Sequence, residues 1–133
     1  MTPLVLVDTS GWICFFARKG YEDFKTTIAI LLDEDRVATG GPILIEVIQG
    51  AKSKAEKEMI SRYFQGVHWL PVRDTHWHQA AEFAFDLRRK GITTSAIDTL
   101  IAALAIDYRC ALLHKDSDFD LISRHSALRS FPL

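Results

Sequence analysis

Short apolar runs alternate along the chain with longer stretches of helical period. Leu4-Val5-Leu6-Val7 closes a run that reads as a fully buried, parallel-type strand over residues 3–7. Asp8-Thr9-Ser10-Gly11 then supplies cap residues for a helix through about Arg18. Between Tyr21 and Asp35, Phe24, Ile28, Leu31 and Leu32 recur at helical spacing. Residues 36–39 form a short strand closed by Gly40-Gly41. Pro42 as a first helical residue and Gly50 as a stop bracket a helix over 42–49. A polar helix is expected over 53–65, and a strand over 67–72 that Pro71 demotes to an end or edge position. Asp74 or Thr75 caps a helix from about His76 to Lys90, and another runs from Ser95 to about Asp107. A strand over 110–114, a short helix over 118–124 and a last strand over 128–131 complete the pattern. Strands alternating with helices predict the α/β class, an α/β/α sandwich around a central, mainly parallel twisted sheet with right-handed crossovers.

Length and composition narrow this little further. At 133 residues, with no linker, repeat or low-complexity tract, the chain reads as one domain over 1–133. No apolar run approaches the ~20 residues of a membrane span. The segment Met1-Thr2-Pro3-Leu4 lacks the basic start of a signal peptide, so a cytoplasmic location is expected. Cys14 and Cys110 both sit among apolar neighbours and read as small buried hydrophobes, with no redox motif around them. No P-loop, G-x-G-x-x-G or G-x-S-x-G pattern occurs, so nucleotide-cofactor and serine-hydrolase readings have no support.

Charge changes the picture more. Asp8, Glu46, Asp98, Asp116 and Asp118 lie in or beside apolar runs, where a carboxylate costs several kcal/mol to desolvate unless a positive charge meets it. The net charge is −1, yet without these five acids the balance would be +4. Basic residues cluster at Arg18-Lys19, at Lys52, Lys54 and Lys57, and at Arg88-Arg89-Lys90. Taken singly, such clusters are solvated helix faces. Together with an acidic pocket that holds a cation, they would suit a phosphodiester.

In open α/β sheets ligands bind beyond the carboxyl ends of the strands, where Asp8 and the Asp116/Asp118 pair fall. Glu46 on the short helix and Asp98 in the first turn of a later one could converge on the same edge. Hard oxygen donors of this kind suit Mg²⁺ or Mn²⁺, ions that acidify a bound water and stabilise charge on a phosphoryl group. Each acid also has a purely structural reading. Asp98 with Ser95 fits the S-x-x-D form of a capping box, Glu46 could lie on a polar helix face, Asp116 and Asp118 could be turn residues, and Asp8 could simply cap a helix. His76 and His78 are two apart at a helix start and point to different faces, which argues against a metal site there. Phe15-Phe16 is a candidate for a dimer or partner surface. A magnesium-dependent phosphatase would need a second Asp two residues after Asp8, where Ser10 stands. A phospho-accepting domain would need an acid ending a middle strand, and 67–72 ends without one. A non-catalytic binding module with a decayed site is the remaining alternative.

Val7-Asp8-Thr9-Ser10, Glu46 in its apolar helix, Asp98-Thr99-Leu100-Ile101-Ala102-Ala103 and Leu113-His114-Lys115-Asp116-Ser117-Asp118-Phe119 together resemble a PIN domain. The length and the closing Asp-x-Asp-Phe look most like the VapC ribonuclease toxins of bacterial toxin–antitoxin pairs, and the resemblance spans essentially the whole chain. It implies an Mg²⁺- or Mn²⁺-dependent endoribonuclease whose metal-binding quartet is Asp8, Glu46, Asp98 and Asp116, with Glu46 as ligand or base. Asp118 is implied as an accessory acid, and Thr9 or Ser10 as the hydroxyl orienting Asp8 or a bound water. The chain departs from the family at His114-Lys115, where Thr-x often precedes the Asp. That puts Lys115 near the site, with Arg18 and Lys19 as further candidates for holding substrate phosphate. The resemblance also implies a homodimer, an RNA substrate and a small VapB-type antitoxin that covers the acidic pocket.

Overall fold

Val5, Leu6 and Val7 are all but inaccessible to solvent, because the strand they form is interior to the sheet and both of its faces are packed into the core. The computed structural model describes residues 2–133. Its elements, in chain order, are β1 (Val5–Val7), α1 (Thr9–Phe16), α2 (Glu22–Asp33), β2 (Val37–Thr39), α3 (Gly41–Gln49), α4 (Lys54–Gln65), β3 (His68–Trp69), α5 (Asp74–Arg89), α6 (Ala96–Asp107), β4 (Ala111–Leu113) and α7 (Ser117–Arg124). The four strands run parallel in the order β3-β2-β1-β4. The α/β architecture expected from the alternating pattern is therefore present. No helix among the described residues is long and apolar enough to cross a membrane.

This order fixes where a ligand can enter. From β1 the chain steps to β2 and β3 on one side, then returns to place β4 on the other. The connections leaving β1 and β4 thus diverge, opening a crevice at the carboxyl ends of those two strands. α6 packs behind the sheet with every residue from Thr99 to Ala105 buried, which explains a stretch that is apolar around its whole circumference. Trp12 of α1 is fully buried, its ring stacked on Phe16 at 5.7 Å and tilted against Phe64 at 4.9 Å.

Several expected boundaries shift for identifiable reasons. The strand expected over 67–72 shrinks to His68–Trp69 on the sheet edge. Leu70 still donates to the Thr39 carbonyl (2.8 Å), but β2 ends there and α3 begins at Gly41, so the residues beyond Leu70 have no strand to pair with. The strand expected over 128–131 reduces to one parallel bridge between Leu112 and Ser130. Leu112 N donates to Arg129 O and Phe131 N to Leu112 O, both at 2.8 Å, and no further rung joins the two segments among the described residues. That single bridge still shields the outer edge of β4. α1 stops at Phe16, two residues early, because Ala17 turns extended and Gly20 and Tyr21 take left-handed conformations. α5 starts at Asp74 rather than near His76. The His76 side chain itself provides the cap, Nδ1 accepting from Arg73 N at 2.8 Å, while Nε2 bonds Asp107 Oδ2 of α6 at 2.7 Å.

Gly11 sets how closely α1 approaches the crevice. A Cβ there would lie 3.0 Å from both Val7 Cγ1 and Leu113 Cδ2 and 3.1 Å from the Leu113 carbonyl oxygen. The carbonyl belongs to the central ladder and cannot yield. Gly11→Val is therefore expected to destabilise the protein by about 2 kcal/mol or more, overpacking outweighing the ~0.5 kcal/mol or so gained in helix propensity. A urea unfolding midpoint at or above the wild-type value would refute this account of the packing.

Candidate metal centre

Asp8 is the first residue beyond β1. Its amide donates to the Leu113 carbonyl (2.9 Å), adding one rung to the β1–β4 ladder. Its extended backbone lets Oδ2 turn back and cap α1, accepting from Ser10 N at 3.0 Å and Ser10 Oγ at 2.7 Å. Ser10 Oγ accepts in turn from the Lys115 amide at 2.9 Å. One hydroxyl thus ties the end of β1 to the loop after β4. Thr9, one residue earlier, points its Oγ1 elsewhere and donates to Glu46 Oε1 at 2.7 Å.

The loop after β4 carries the second part of the cluster. Asp116 caps α7, Oδ1 accepting from Asp118 N at 2.9 Å. Asp98 lies in the first turn of α6, its amide donating to Ser95 Oγ at 3.0 Å. Carboxylate oxygens of Asp98, Asp116 and Asp118 lie within 4.8 Å of one another. Asp8, Asp98 and Asp116 therefore all sit at helix N-termini, where the unpaired N–H groups and the macrodipole favour negative charge.

Helix termini do not fully offset the crowding. Burial, followed by the charges of Asp8 and Asp116 and more weakly that of Glu46, pushes the Asp98 carboxyl up to about 6, against a smaller opposing effect of the Ser95 hydrogen bond. Asp8 lies outside the tight trio by distance, yet it is the strongest charged neighbour of Asp98. At 4 % exposure its charge is poorly screened. Among the described residues no Lys, Arg or His makes an ion pair with any of the five acids. The nearest basic residue in sequence, Lys115, instead lays its Nζ over the Tyr21 ring at 4.5 Å from the centroid. Converging hard oxygens without a paired side-chain cation could hold a divalent, magnesium-like ion.

With this geometry in view, comparison with known proteins is decisive. The PIN domain family model matches residues 5–124. The chain belongs to the PIN-domain family. It is 34 % identical over 131 residues to Ribonuclease VapC11 of Mycobacterium tuberculosis and to a VapC ribonuclease of Mycobacterium bovis, covering 96 % of this chain and 97 % of each relative. Its fold is similar to a chain of VapBC2 from Rickettsia felis, solved bound to a DNA fragment from their promoter, with TM-score 0.79 at 15 % identity over 96 % of this chain and 97 % of that one. It is also similar to Mycobacterium tuberculosis VapC20, described as a sarcin-ricin loop cleaving toxin, with TM-score 0.65 at 18 % identity over 88 % and 93 %.

The PIN domain's structure distributes the sequence candidates unevenly. Asp98, Asp116 and Asp118 share the tight trio, and Asp8 and Glu46 reach it electrostatically. The two hydroxyls divide the task expected of either one, Ser10 holding Asp8 and Thr9 holding Glu46. Lys115 stands beside the cluster. Arg18 and Lys19 are exposed on the loop after α1, and among the described residues no ion pair joins them to the acids. Two residues absent from the sequence candidates lie in the surroundings: Tyr21 under Lys115, and His114, whose Nδ1 accepts from the Asp116 amide at 3.2 Å. The only signal for His114 was its departure from the family pattern.

The raised Asp98 value makes a signed prediction for the metal-free protein. The folded state binds a proton more tightly than the unfolded chain, whose Asp titrates near 4. The contribution of Asp98 to stability is therefore full below that unfolded value and is lost as pH rises through about 6. Melting temperatures in EDTA should drop between pH 5 and 7, and Asp98→Asn should flatten that slope. A wild-type melting temperature that rises over this interval while the variant's does not would contradict the electrostatic reading.

Proposed function

We propose that this PIN domain is an Mg²⁺- or Mn²⁺-dependent endoribonuclease and the toxin of a toxin–antitoxin pair. The observation that carries the reading is the convergence of acids at the β1/β4 crevice with no Lys, Arg or His ion-paired to them among the described residues. The 34 % identity to proteins named VapC ribonuclease supports it. Asp8, Asp98 and Asp116 would hold the ion, with Asp118 close enough to join them. Glu46 has one oxygen engaged by Thr9, leaving the other as ligand or proton acceptor. When bound, a divalent ion would neutralise charge on the scissile phosphate and acidify water beside it. The protein's own residues supply the rest. Ser10 fixes the Asp8 carboxylate, the helix N-termini hold anionic side chains ready, and Lys115, with Arg18 and Lys19 on the same loop as Tyr21, offers positive charge for RNA phosphates.

A groove of about 270 Å³ between α1, α3 and α4 begins at Glu46 and continues over Ile13, Phe16, Val47 and Ile60. An antitoxin segment with an apolar face and a terminal Arg would fit both the groove and the carboxylates. Phe16 contributes here, whereas Phe15 is half-buried against Trp12 and Tyr63. The protein is taken to act in the cytoplasm as one unit over 1–133 and as a homodimer. The exposed Trp69 and Trp77 are candidates for its contact, and sedimentation showing a strict monomer at micromolar concentration would remove that part of the reading.

Asp8→Asn and Asp98→Asn should each lower cleavage of a labelled structured RNA by about 10³-fold, since stabilisation of the reacting phosphate by the ion is worth several kcal/mol. EDTA should have the same effect, and Mn²⁺ at millimolar concentration should raise the wild-type melting temperature. Cleavage that persists in EDTA, or full activity in Asp8→Asn, would end the metal mechanism.

A further inference from the structure

His114 directly follows β4, and its surroundings are unusual for a loop residue. The side chain is 5 % exposed although the loop around it is open. Its ring packs against Phe119 of α7 with centroids 5.2 Å apart. Nδ1 accepts from the amide of Asp116, and Nε2 lies 2.8 Å from Ser130 Oγ and 3.8 Å from Asp120 Oδ1. Ser130 belongs to the C-terminal segment that bridges β4 at Leu112. The imidazole therefore spans two parts of the chain that no other side-chain hydrogen bond joins among the described residues.

The hydrogen bonds fix the tautomer. A backbone amide can only donate, so Nδ1 must be the unprotonated nitrogen and the neutral ring carries its proton on Nε2. Nε2–H then donates to Ser130 Oγ. This excludes a Ser130–His114–Asp120 nucleophile triad, because Nε2 cannot take the Ser130 proton while it holds its own. The ring holds a backbone in place instead.

We propose that His114 is a positioning residue for the Asp116 carboxylate, pinning the Asp116 amide to the C-terminal segment through Ser130. The inference rests on the reading of Asp116 as a metal ligand. Asp116 caps α7 with the same carboxylate that would bind the ion, so a free amide lets the capping turn rotate and moves that oxygen away from Asp98. Groups that orient metal ligands in this way typically change metal affinity by about tenfold or more when removed.

The test separates the hydrogen bond from simple packing. Asn at 114 places an amide oxygen near the position of Nδ1, whereas Gln reaches toward the position of Nε2. Mn²⁺ affinity is measured by calorimetric titration of the wild-type protein and of His114→Leu, His114→Asn and His114→Gln, with circular dichroism melts to confirm folding. The expected result is about a tenfold loss of affinity in His114→Leu and His114→Gln, and recovery to within about threefold of wild type in His114→Asn. RNA cleavage should follow the same order in kcat with little change in KM. If His114→Leu does not fold, the Asn and Gln variants decide alone, through the same ordering. Equal affinity in Asn and Gln variants, or wild-type affinity in His114→Leu, overturns the positioning role while leaving the metal site intact. Wild-type protein that takes up no Mn²⁺ overturns the metal site, and the inference with it.

Discussion

The hydroxyl of Ser10, donating to Asp8 and accepting from the Lys115 amide, is the contact on which the crevice depends. Parallel strands β1 and β4 end side by side, but their following segments leave in different directions. Without a tie across that divergence, the acids on the two segments would move apart under their own repulsion. The Asp8 amide on the Leu113 carbonyl supplies the backbone half of the tie, and Ser10 supplies the side-chain half. Gly11 belongs to the same device, since only a residue without Cβ lets α1 sit against Val7 and Leu113 closely enough for Ser10 to reach across.

Repulsion and burial pull on this arrangement in opposite ways. Moving the acids apart would relieve charge but break helix caps at α1 and α7, because Asp8 and Asp116 are caps as well as members of the cluster. Each cap is worth about 1 kcal/mol, and the macrodipoles add a few tenths more at partly exposed ends. These terms keep the carboxylates in place without relieving them, and the raised Asp98 value is the remainder. A capping role and a ligand role are therefore not alternatives for these residues. The cap orients the carboxylate, and the crowd around it makes a cation favourable.

That duality explains what the sequence could disclose. Asp8 was legible because an acid directly after three buried β-residues has no solvent to turn to. Asp98 was legible only jointly, since Ser95 capping alone accounts for it. The alternation of strands and helices predicted the sheet, and only its edges were misjudged, where the outer segments pair no further than neighbours that are themselves three residues long. Contacts that span the chain left no local trace. Thr9 meets Glu46 across 37 positions and His114 meets Ser130 across 16. His76 was equally hidden: histidine is not a preferred cap, and its bond to Asp107 exists only once α5 packs on α6.

Glu46 connects the site to the rest of the surface. It lines the apolar groove beside Ile13 and Val47, accepts from Thr9, and still contributes to the charge felt by Asp98. Thr9 opens the helix that Asp8 caps, so any ligand that draws Glu46 toward the groove strains the first turn of α1. The reverse also holds, because a cation that gathers the carboxylates lowers the charge facing the groove. Were a ligand in the groove and a cation in the crevice both to engage Glu46, their occupancies would be linked through this one side chain, and linkage of that kind is reciprocal. A cationic group arriving along the groove would compete with a divalent ion for the same oxygens, whereas an uncharged apolar segment would leave the crevice free.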